Sequence, residues 1–311
     1  MLADNLNRRE SVLPLSRTRT TGWARELGLP KGGKTVLYTG LMYQLMPSMI
    51  ALEKVLSRLE NSSLRHFFGV GRLANRGLNL SRLSSVLVSR KDQEYFDGIL
   101  RDIALLLRAV DVEFGYLYEE ELYAGALAHD EGICGAFERQ ATRVHHLLEG
   151  HGVKRVITVD PHTTNILRSV YPRLFPGDGV EVRSYLEVLA EADKMPAHLQ
   201  ERSAVIHDSC VYARYEGVIE EPRHLLGAAG VEIREPEHSG KMTVCCGGPI
   251  ESLFPGKARS IAETRLEQLA AVDKSAITMC PICLVNLRGA AAGNGMVVED
   301  ISRPLAESRG A

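Results

Sequence analysis

An internal repeat limits what this chain can fold into. Residues 157–168, ITVDPHTTNILR, align without gaps with residues 277–288, ITMCPICLVNLR, and the two share Ile, Thr, Pro, Leu and Arg at matching positions. Further upstream, residues 121–127 align with residues 243–249, and a helical pattern with a Thr-Arg pair follows each segment. Repetition of this kind indicates two stacked copies of one structural unit. The length of 311 residues agrees with two units, because it exceeds the usual size of a single hydrophobic core.

Short apolar runs alternate with helical patterns along most of the chain. The first predicted strand is KTVLYTG at residues 34–40, and the first predicted helix follows at residues 46–59. The further predicted strands cover residues 112–117, 154–159, 180–185, 203–207, 231–235, 275–279 and 296–300. The further predicted helices cover residues 134–152, 221–230 and 256–272. This alternation predicts an α/β fold of two tandem, pseudo-symmetric units, each with a parallel sheet built from βαβ crossovers.

The chain divides into three predicted parts. Residues 1–33 are rich in arginine, have no clear apolar period, and are expected to form an N-terminal arm. Residues 34–195 form the first predicted unit, and residues 196–311 form the second. The first unit carries an insertion at about residues 57–105, which includes a basic segment at residues 64–91 with five Arg, one Lys and no acid. A solvated basic helix pair fits this segment better than a docking surface for an acidic partner.

Composition and charge exclude several classes of function. The formal net charge is −2, so the global charge does not favour nucleic acid or an anionic membrane. No apolar run approaches the ~20 residues that span a bilayer, and the N-terminus has no apolar core of a signal peptide. We therefore expect no nucleic-acid partner, no membrane span and a cytoplasmic location. Because thiols stay reduced in the cytosol, clustered cysteines there indicate metal binding or catalysis rather than disulfides.

Five of the six cysteines form one constellation in the second unit. They are Cys210, the adjacent pair Cys245 and Cys246, and the motif Cys280-Pro-Ile-Cys283. Structural zinc usually takes four ligands in two local pairs, and the side chains of adjacent cysteines tend to diverge. Five thiolates also exceed the four that hold an ordinary cubane cluster. A larger or opened iron–sulfur cluster therefore fits this set better than zinc, which remains the alternative.

The predicted strands explain how these distant cysteines would meet. Cys210 follows the strand at residues 203–207, and Cys280 follows the strand at residues 275–279. Both cysteines are thus expected at carboxyl ends of parallel strands, where open α/β sheets bind their ligands. Pro281 suits the first turn of a helix, so free backbone N–H groups would stabilise a thiolate nearby.

The first copy of the repeat has lost every one of these cysteines. Residues 38–41 align with residues 207–210, and the five equivalent positions hold Leu41, Tyr123, Ala124, Asp160 and Thr163. We expect this emptied half to form a wall of a substrate or partner site.

Several residues outside the constellation are weaker candidates. Cys134 begins a predicted helix and is expected to be a small buried residue rather than a sixth ligand. A mononuclear metal at Asp160 and His162 is a less favoured hypothesis than a simple polar loop. His207 and Asp208 either hydrogen-bond cluster sulfur and tune its potential, or merely end their strand.

The cysteine pattern CX34CCX33CPxC resembles that of a known family. With HDSCVYARYEG at residues 207–217 and CCGGP at residues 245–249, it resembles the cysteine-rich CCG domain of the B-type subunits of heterodisulfide reductase and their relatives. That family has two such domains in tandem, and the resemblance covers nearly the whole chain from about residue 34. It implies one noncubane 4Fe-4S cluster, with cluster-borne catalysis at the vicinal pair. The implied ligands are Cys210, Cys245, Cys246, Cys280 and Cys283.

The resemblance also implies a function and partners. A chain with one intact site resembles the single-cluster B-type subunits of heterodisulfide-reductase-like complexes in sulfur-oxidising bacteria. The expected function is that of an iron–sulfur subunit of a thiol-disulfide oxidoreductase complex, acting in sulfur-carrier redox chemistry and electron transfer. The implied partners are flavin- and ferredoxin-type subunits, a B-type paralogue and a lipoate-type sulfur carrier protein. One alternative is a non-catalytic adaptor with a structural cluster or zinc ion. Another is a free-standing CxxC dithiol oxidoreductase, which leaves three cysteines unexplained.

Overall fold

Two parallel β-sheets organise the chain. The computed structural model describes residues 6, 11, 13, 15–60, 88–177, 179–192, 201–251 and 254–309. Its strands are β1 (Thr35–Tyr38), β2 (Arg155–Thr158), β3 (Glu181–Ser184), β4 (Arg202–His207), β5 (Val231–Arg234), β6 (Ser275–Thr278) and β7 (Val297–Asp300). The first sheet has the order β1-β2-β3, the second has the order β5-β4-β6-β7, and every pair is parallel. The α/β prediction is confirmed.

The helices lie between and beside these strands. In the first half they are α1 (Arg17–Thr21), α2 (Met42–Glu60), α3 (Arg90–Ala109), α4 (Ala126–Asp130), α5 (Cys134–Gly150), α6 (Pro161–Asn165), α7 (Tyr171–Leu174) and α8 (Tyr185–Ala192). In the second half they are α9 (Glu220–Ala228), α10 (Pro255–Ala270), α11 (Pro281–Ala291) and α12 (Ser302–Glu307). Two π-helical segments, Ile166–Val170 and Tyr212–Glu216, and short 3₁₀ turns complete the described elements. Within the described ranges, no helix has both the length and the apolar composition needed to cross a bilayer.

One predicted strand, at residues 112–117, does not form. Among these residues only two make isolated parallel bridges: Gly115 pairs with Val36 at the free edge of β1, and Tyr116 pairs with Lys31, which precedes β1. The pairing stops there because the chain turns away into a 3₁₀ turn that begins at Tyr118, whose φ is 52°. The free edge of β1 corresponds to the edge of β4 that pairs with β5 in the second sheet. The strands of both sheets therefore have the same order in space relative to their order along the chain.

The helix α3 joins the parts of the molecule. Its apolar residues recur every three or four positions, and they are buried at Phe96, Ile99, Leu100, Ile103 and Leu107. That spacing gives one apolar face, which packs against α2, against α12 from the second half, and against the 3₁₀ turn Gly22–Leu27. Most of the basic segment at residues 64–91, and the predicted boundary near residue 195, lie outside the described residues.

The described part of the N-terminal arm belongs to the core. Trp23 is fully buried, and its ring lies 4.9 Å from the ring of Tyr116. The hydroxyl of Tyr116 donates to the carbonyl of Thr20, 3.2 Å away. The described part of the arm therefore packs on the first half of the molecule.

Two equivalent hydrogen bonds join the halves. The hydroxyl of Tyr43, after β1, donates to the carboxylate of Asp300 at the end of β7, 2.7 Å away. The hydroxyl of Tyr212, after β4, lies 2.8 Å from the hydroxyl of Ser184 at the end of β3. The repeat alignment places these two tyrosines at the same position, and the two acceptor residues also end equivalent strands. The contact thus has the pseudo-symmetry predicted from the repeat.

Candidate metal centre

The structure brings the five cysteines of the second half together. The thiol of Cys245 lies within hydrogen-bonding reach of both Cys210 and Cys246. The thiol of Cys283 in turn reaches both Cys246 and Cys280. All five are free thiols in one connected group. Their role as ligands stays a prediction, but their convergence is a property of the fold.

Adjacent strands explain this convergence. β4 and β6 are neighbours in the sheet, so Cys210 and Cys280 meet where these two strands end. Cys280 is the N-cap of α11, and Cys283 lies in the first turn of that helix after Pro281. The free N–H groups of a helix start favour negative charge, as expected for thiolates there.

The vicinal pair is carried by a loop that only glycine can follow. Gly247 has a φ of 83°, and a Cβ there would lie 2.5 Å from the carbonyl oxygen of Ala258. A Cβ at Gly248 would lie 2.1 Å from a methyl group of Ile282 and 3.5 Å from the sulfur of Cys246. The two glycines therefore let the backbone come close to the thiols.

The thiols differ in their access to solvent. Cys246, Cys280 and Cys283 are buried, whereas Cys210 and Cys245 are half-buried. Two exposed apolar side chains lie close in sequence to the accessible pair, since Tyr215 and Met242 are each 70% exposed. A reactant from solvent would therefore meet Cys210 and Cys245 first.

The contacts within the group separate the pKa values of the thiols. Hydrogen bonds from Cys210 and Cys246, and the N–H of Gly247 at 3.3 Å, hold the pKa of Cys245 far below its usual value. Burial raises the pKa of Cys280, but contacts with Cys283 and His162 outweigh it and lower that pKa well below the ordinary value. Two of the five thiols thus favour the thiolate form, which is the form that binds metals.

His207 presents an unpartnered N–H to the cysteines. Its Nδ1 accepts a hydrogen bond from Nε of Arg265 at 3.2 Å, so Nε2 carries the ring hydrogen. Burial, and then the charge of Arg265, lower the pKa of His207 to about 3, which keeps the ring neutral. Nε2 is buried and has no hydrogen-bond partner among the described residues. A ring nitrogen of His207 and the sulfurs of Cys246 and Cys283 lie within 4.8 Å of one another.

Asp208 has a structural role. Its carboxylate accepts two hydrogen bonds of 2.9 Å from Arg223 and one of 2.6 Å from the N–H of Gly240. Its carbonyl accepts the hydroxyl of Thr243 at 3.1 Å. Asp208 therefore ties the segment of Cys210 to the segment that precedes the vicinal pair. Two roles were predicted for His207 and Asp208, a hydrogen bond to cluster sulfur or simply the end of a strand. A hydrogen bond to sulfur fits His207 only.

The equivalent positions of the first half are filled by their own contacts. Oδ1 of Asp160 accepts the N–H of Thr163 at 3.0 Å, and the hydroxyl of Tyr123 accepts the N–H of Leu127 at 2.7 Å. Neither Asp160 nor His162 belongs to a group of three possible metal ligands among the described residues. The mononuclear metal hypothesis for this half therefore gains no support.

One contact across the halves was not predicted. The imidazole of His162, in the first half, lies within hydrogen-bonding reach of the thiol of Cys280. Its Nδ1 lies 3.0 Å from Oδ2 of Asp130. The repeat alignment places Asp160-Pro-His162 opposite Cys280-Pro-Ile282, so it indicates a polar residue at this position of the first half. It gives no information about contacts between the two halves.

The sixth cysteine, Cys134, corrects a prediction. It was expected to be buried, but it is exposed at the start of α5. Its thiol makes one hydrogen bond, to the carbonyl of Gly132 at 3.5 Å. Cys134 is the first residue of this helix, and the buried face of the helix begins only at Ala136 and Phe137. Cys134 is not among the thiols that contact the group of five.

Comparison with known families agrees with this geometry. The model of the CCG cysteine-rich domain matches residues 204–288, a range that includes all five clustered cysteines. This part of the chain is therefore similar to a CCG domain. The predicted resemblance is thereby confirmed for this part of the chain.

Three curated proteins are similar to the chain beyond the CCG domain. It is 32% identical over 228 residues to a probable membrane-anchored ferredoxin of Chromohalobacter salexigens, covering 67% of this chain and 33% of that protein. It is 34% identical over 192 residues to the probable iron-sulfur-binding oxidoreductase FadF of Bacillus subtilis, covering 59% and 27%. It is 28% identical over 221 residues to the D subunit of dihydromethanophenazine:CoB--CoM heterodisulfide reductase of Methanosarcina mazei, covering 67% and 54%. The chain thus spans between about a quarter and about a half of the length of these relatives.

Proposed function

We propose that this chain is an iron–sulfur subunit of an oxidoreductase complex related to heterodisulfide reductase. The observation that carries the proposal is the connected group of five free thiols in the CCG domain. Relatives named as a ferredoxin, an iron-sulfur-binding oxidoreductase and a heterodisulfide reductase subunit support it. The proposed ligands are Cys210, Cys245, Cys246, Cys280 and Cys283.

The residues around the thiols fit an iron–sulfur cluster. A buried N–H without an acceptor is costly, and the sulfur of a bound cluster would satisfy the Nε2–H of His207. The tight packing of Gly247 and Gly248 against Ala258 and Ile282 holds the loop of the vicinal pair against α10 and α11. Five thiols also exceed the four ligands of structural zinc. We therefore favour a noncubane 4Fe-4S cluster as the cofactor.

The chain's own residues would shape the reaction in three ways. A bound cluster supplies the capacity to take up and pass on electrons. The N–H of Gly247 orients the sulfur of Cys245, while burial of Cys246, Cys280 and Cys283 keeps water from the inner thiols. Of the vicinal pair proposed for catalysis, Cys245 is the accessible member, so we place an incoming sulfur substrate on its side.

Substrate and partners belong to the same proposal. A thiol, disulfide or lipoate-type sulfur carrier would reach the group at the half-buried thiols Cys210 and Cys245. On the side towards the first half, His162 is only 5% exposed, so the emptied half would form a wall of the site rather than its entrance. Flavin- and ferredoxin-type subunits and a B-type paralogue are the proposed partners, as the family resemblance implies, and a relative named as a heterodisulfide reductase subunit supports a role in a complex. A cytoplasmic location remains a prediction.

The proposal is tested by metal analysis of anaerobically purified protein. We expect about four irons and four acid-labile sulfides per chain, and an EPR signal that responds to added thiol. Cys245→Ser should lower iron and sulfide, whereas Cys134→Ser, the matched control at the exposed cysteine, should leave both unchanged. One zinc per chain with no sulfide would contradict the proposal.

A structural zinc site in a non-catalytic adaptor is the second candidate. His207, Cys246 and Cys283 present three buried ligand atoms within 4.8 Å of one another, which suits a tetrahedral ion with one further thiolate. Zinc binding by Nε2 would require His207 to exchange its tautomer and lose the hydrogen bond from Arg265. If Cys245→Ser abolishes assembly with partner subunits but not redox turnover, the adaptor function is supported.

A further inference from the structure

We propose that Glu216 is a positioning residue through which the first half holds the accessible thiols of the metal centre in place. Glu216 ends the π-helical segment Tyr212–Glu216, which follows Cys210 in the chain. Its side chain bonds to the first half, and the same segment also holds the loop that leads to Cys245. That these thiols are cluster ligands rests on the proposed function, whereas their accessibility is measured in the metal-free chain.

The carboxylate of Glu216 is bound by three side chains of the first half. It accepts hydrogen bonds from Nδ2 of Asn165 at 2.6 Å, from Nε of Arg168 at 2.6 Å and from the hydroxyl of Ser169 at 2.8 Å. The side chain of Glu216 is 2% exposed. Because a buried carboxylate that moves away from its donors loses them without gaining water, these bonds fix the end of the π-helical segment on the first half.

The hydrogen bonds return to the other end of the same segment. Arg168 also donates two hydrogen bonds, of 2.9 and 2.8 Å, to the carboxylate of Glu187. Oε2 of Glu187 accepts the N–H of Ser184 at 2.7 Å, and the hydroxyl of Ser184 lies 2.8 Å from that of Tyr212. The first half thus holds the π-helical segment at both of its ends, at Tyr212 and at Glu216.

Between these two ends, Arg214 reaches the loop that carries the vicinal pair. Its Nε donates to the carbonyl of Lys241 at 3.0 Å, and its Nη2 donates to the carbonyl of Thr243. Thr243 lies two residues before Cys245, and Arg214 lies four residues after Cys210. A shift of the π-helical segment would therefore move both half-buried thiols.

The half that lost its cysteines lacks the equivalent of this contact. Four residues after the equivalent tyrosine, Tyr43, the first half has Pro47, which lies within α2 and has no acid to pair with a cation. Arg288, which the repeat alignment places opposite Arg168, lies over the ring of Tyr95, 4.2 Å from its centre. The tyrosine contacts between the halves occur on both sides, whereas the carboxylate at this position belongs only to the half that keeps the cysteines. This difference favours a role at the thiols over a general role in docking.

Thiol alkylation of the reduced, metal-free full chain tests the inference. Labelling by iodoacetamide under native conditions is followed by mass spectrometry, and the rate at Cys210 is divided by the rate at the exposed Cys134 in the same sample. The variants are Glu216→Gln and Arg168→Met. The matched control is Asp102→Asn, which breaks the 2.7 Å ion pair that joins α3 to α12. These two helices carry none of the five clustered cysteines.

We expect the relative rate at Cys210 to rise roughly tenfold in both Glu216→Gln and Arg168→Met, because the loss of a buried, charge-assisted hydrogen bond favours local opening of the segment. The first variant removes a negative charge and the second removes a positive one. An effect of charge alone on the thiol would therefore shift the two rates in opposite directions. Asp102→Asn should leave the relative rate unchanged, even though it weakens the contact between the halves.

Each outcome decides the inference separately from the proposed function. The inference is overturned, while the proposed function stands, if Glu216→Gln leaves the relative rate at Cys210 unchanged, if Asp102→Asn raises it equally, or if Glu216→Gln and Arg168→Met shift it in opposite directions. Wild-type protein without sulfide would contradict the proposed function, but the labelling rates would still decide the inference.

A second variant covers the case in which Glu216→Gln does not fold. Asn165→Ala removes one donor from the same carboxylate and leaves the ion pair with Arg168 in place. A raised relative rate at Cys210 in this variant supports the inference, and an unchanged rate overturns it.

Discussion

Replacing Arg223 with methionine should loosen the segments that carry Cys210 and Cys245. Arg223 lies on α9, and its guanidinium donates two hydrogen bonds of 2.9 Å to the carboxylate of Asp208, which is 1% exposed. The same carboxylate accepts the N–H of Gly240, five residues before Cys245. Methionine keeps much of the apolar stem of arginine but leaves a buried carboxylate without its cation.

The magnitude follows from these contacts. Removal of one partner from a buried ion pair typically costs about 3–5 kcal/mol of unfolding free energy. The N–H of Gly240 remains as a donor, so the lower end of that range applies. Arg223 also pairs with Glu235, but that side chain is 42% exposed and the contact contributes at most about 1 kcal/mol. We therefore expect a loss of about 3 kcal/mol.

The assay is urea unfolding of the reduced, metal-free chain, followed by circular dichroism. The control is Arg155→Met, because Arg155 pairs with the half-exposed Glu181 at 3.5 Å and should cost at most about 1 kcal/mol. Adding Asp208→Asn to Arg223→Met should restore part of the stability, since the uncompensated charge is then absent. The reasoning is refuted if Arg223→Met is no less stable than Arg155→Met.

The remaining predictions use the same assay. Gly248→Ala should lower the unfolding free energy by ~1–3 kcal/mol and lower the iron content, because the new Cβ would lie 2.1 Å from a side-chain methyl. Gly256→Ala, with open space around its Cβ, should be neutral or slightly stabilising. Tyr43→Phe should cost ~1–3 kcal/mol, because the buried carboxylate of Asp300 loses the hydroxyl at 2.7 Å, and a change below ~0.5 kcal/mol would contradict this. Burial raises the pKa of Glu121 from 4.5 to about 7, so the folded chain keeps a proton that the unfolded chain releases. The unfolding free energy should therefore fall as pH rises through this window, by at most ~1.4 kcal/mol per pH unit from this group, and Glu121→Gln should make the fall shallower.

Local periodicity was sufficient to predict most of the sheets. The apolar runs at residues 154–159 and 275–279 became β2 and β6 with ends within one residue, because both strands are buried on two faces and bounded by turns. The run at residues 112–117 is also mostly apolar, yet its pairing ends after two bridges. No longer strand forms because the chain turns at Tyr118. That turn depends on the residues packed around it rather than on the apolar run.

The long helix α3 shows a different limit. Its buried residues recur every three or four positions, so the signal was present in the sequence. The sequence nevertheless predicts an insertion at about residues 57–105, which takes in most of this helix, because the segment before the helix is basic. The prediction therefore lacks the helix that connects the N-terminal arm to the C-terminal helix α12.

The cysteine group was predictable for a reason that does not extend to its neighbours. Strand order brings Cys210 and Cys280 together whatever the rest of the chain does, because β4 and β6 are adjacent. The contacts of His207 with Arg265 and of His162 with Cys280 depend on how helices and halves dock. Such contacts depend on how distant segments pack against each other, and no periodic pattern in the sequence indicates them.

The same docking explains how the first half can lose its cysteines and still be needed. At the positions equivalent to the cysteines, the first half makes hydrogen bonds of its own, such as the one from the N–H of Thr163 to Asp160. The pair Tyr212–Ser184 mirrors the pair Tyr43–Asp300, so each half contributes one tyrosine and one acceptor to the shared contact. Without the first half, Tyr212 and Asp300 would lose these hydrogen bonds, and the inner face of the metal centre would open to water. The first half is therefore expected to stabilise the CCG domain whether or not it binds a substrate or partner of its own.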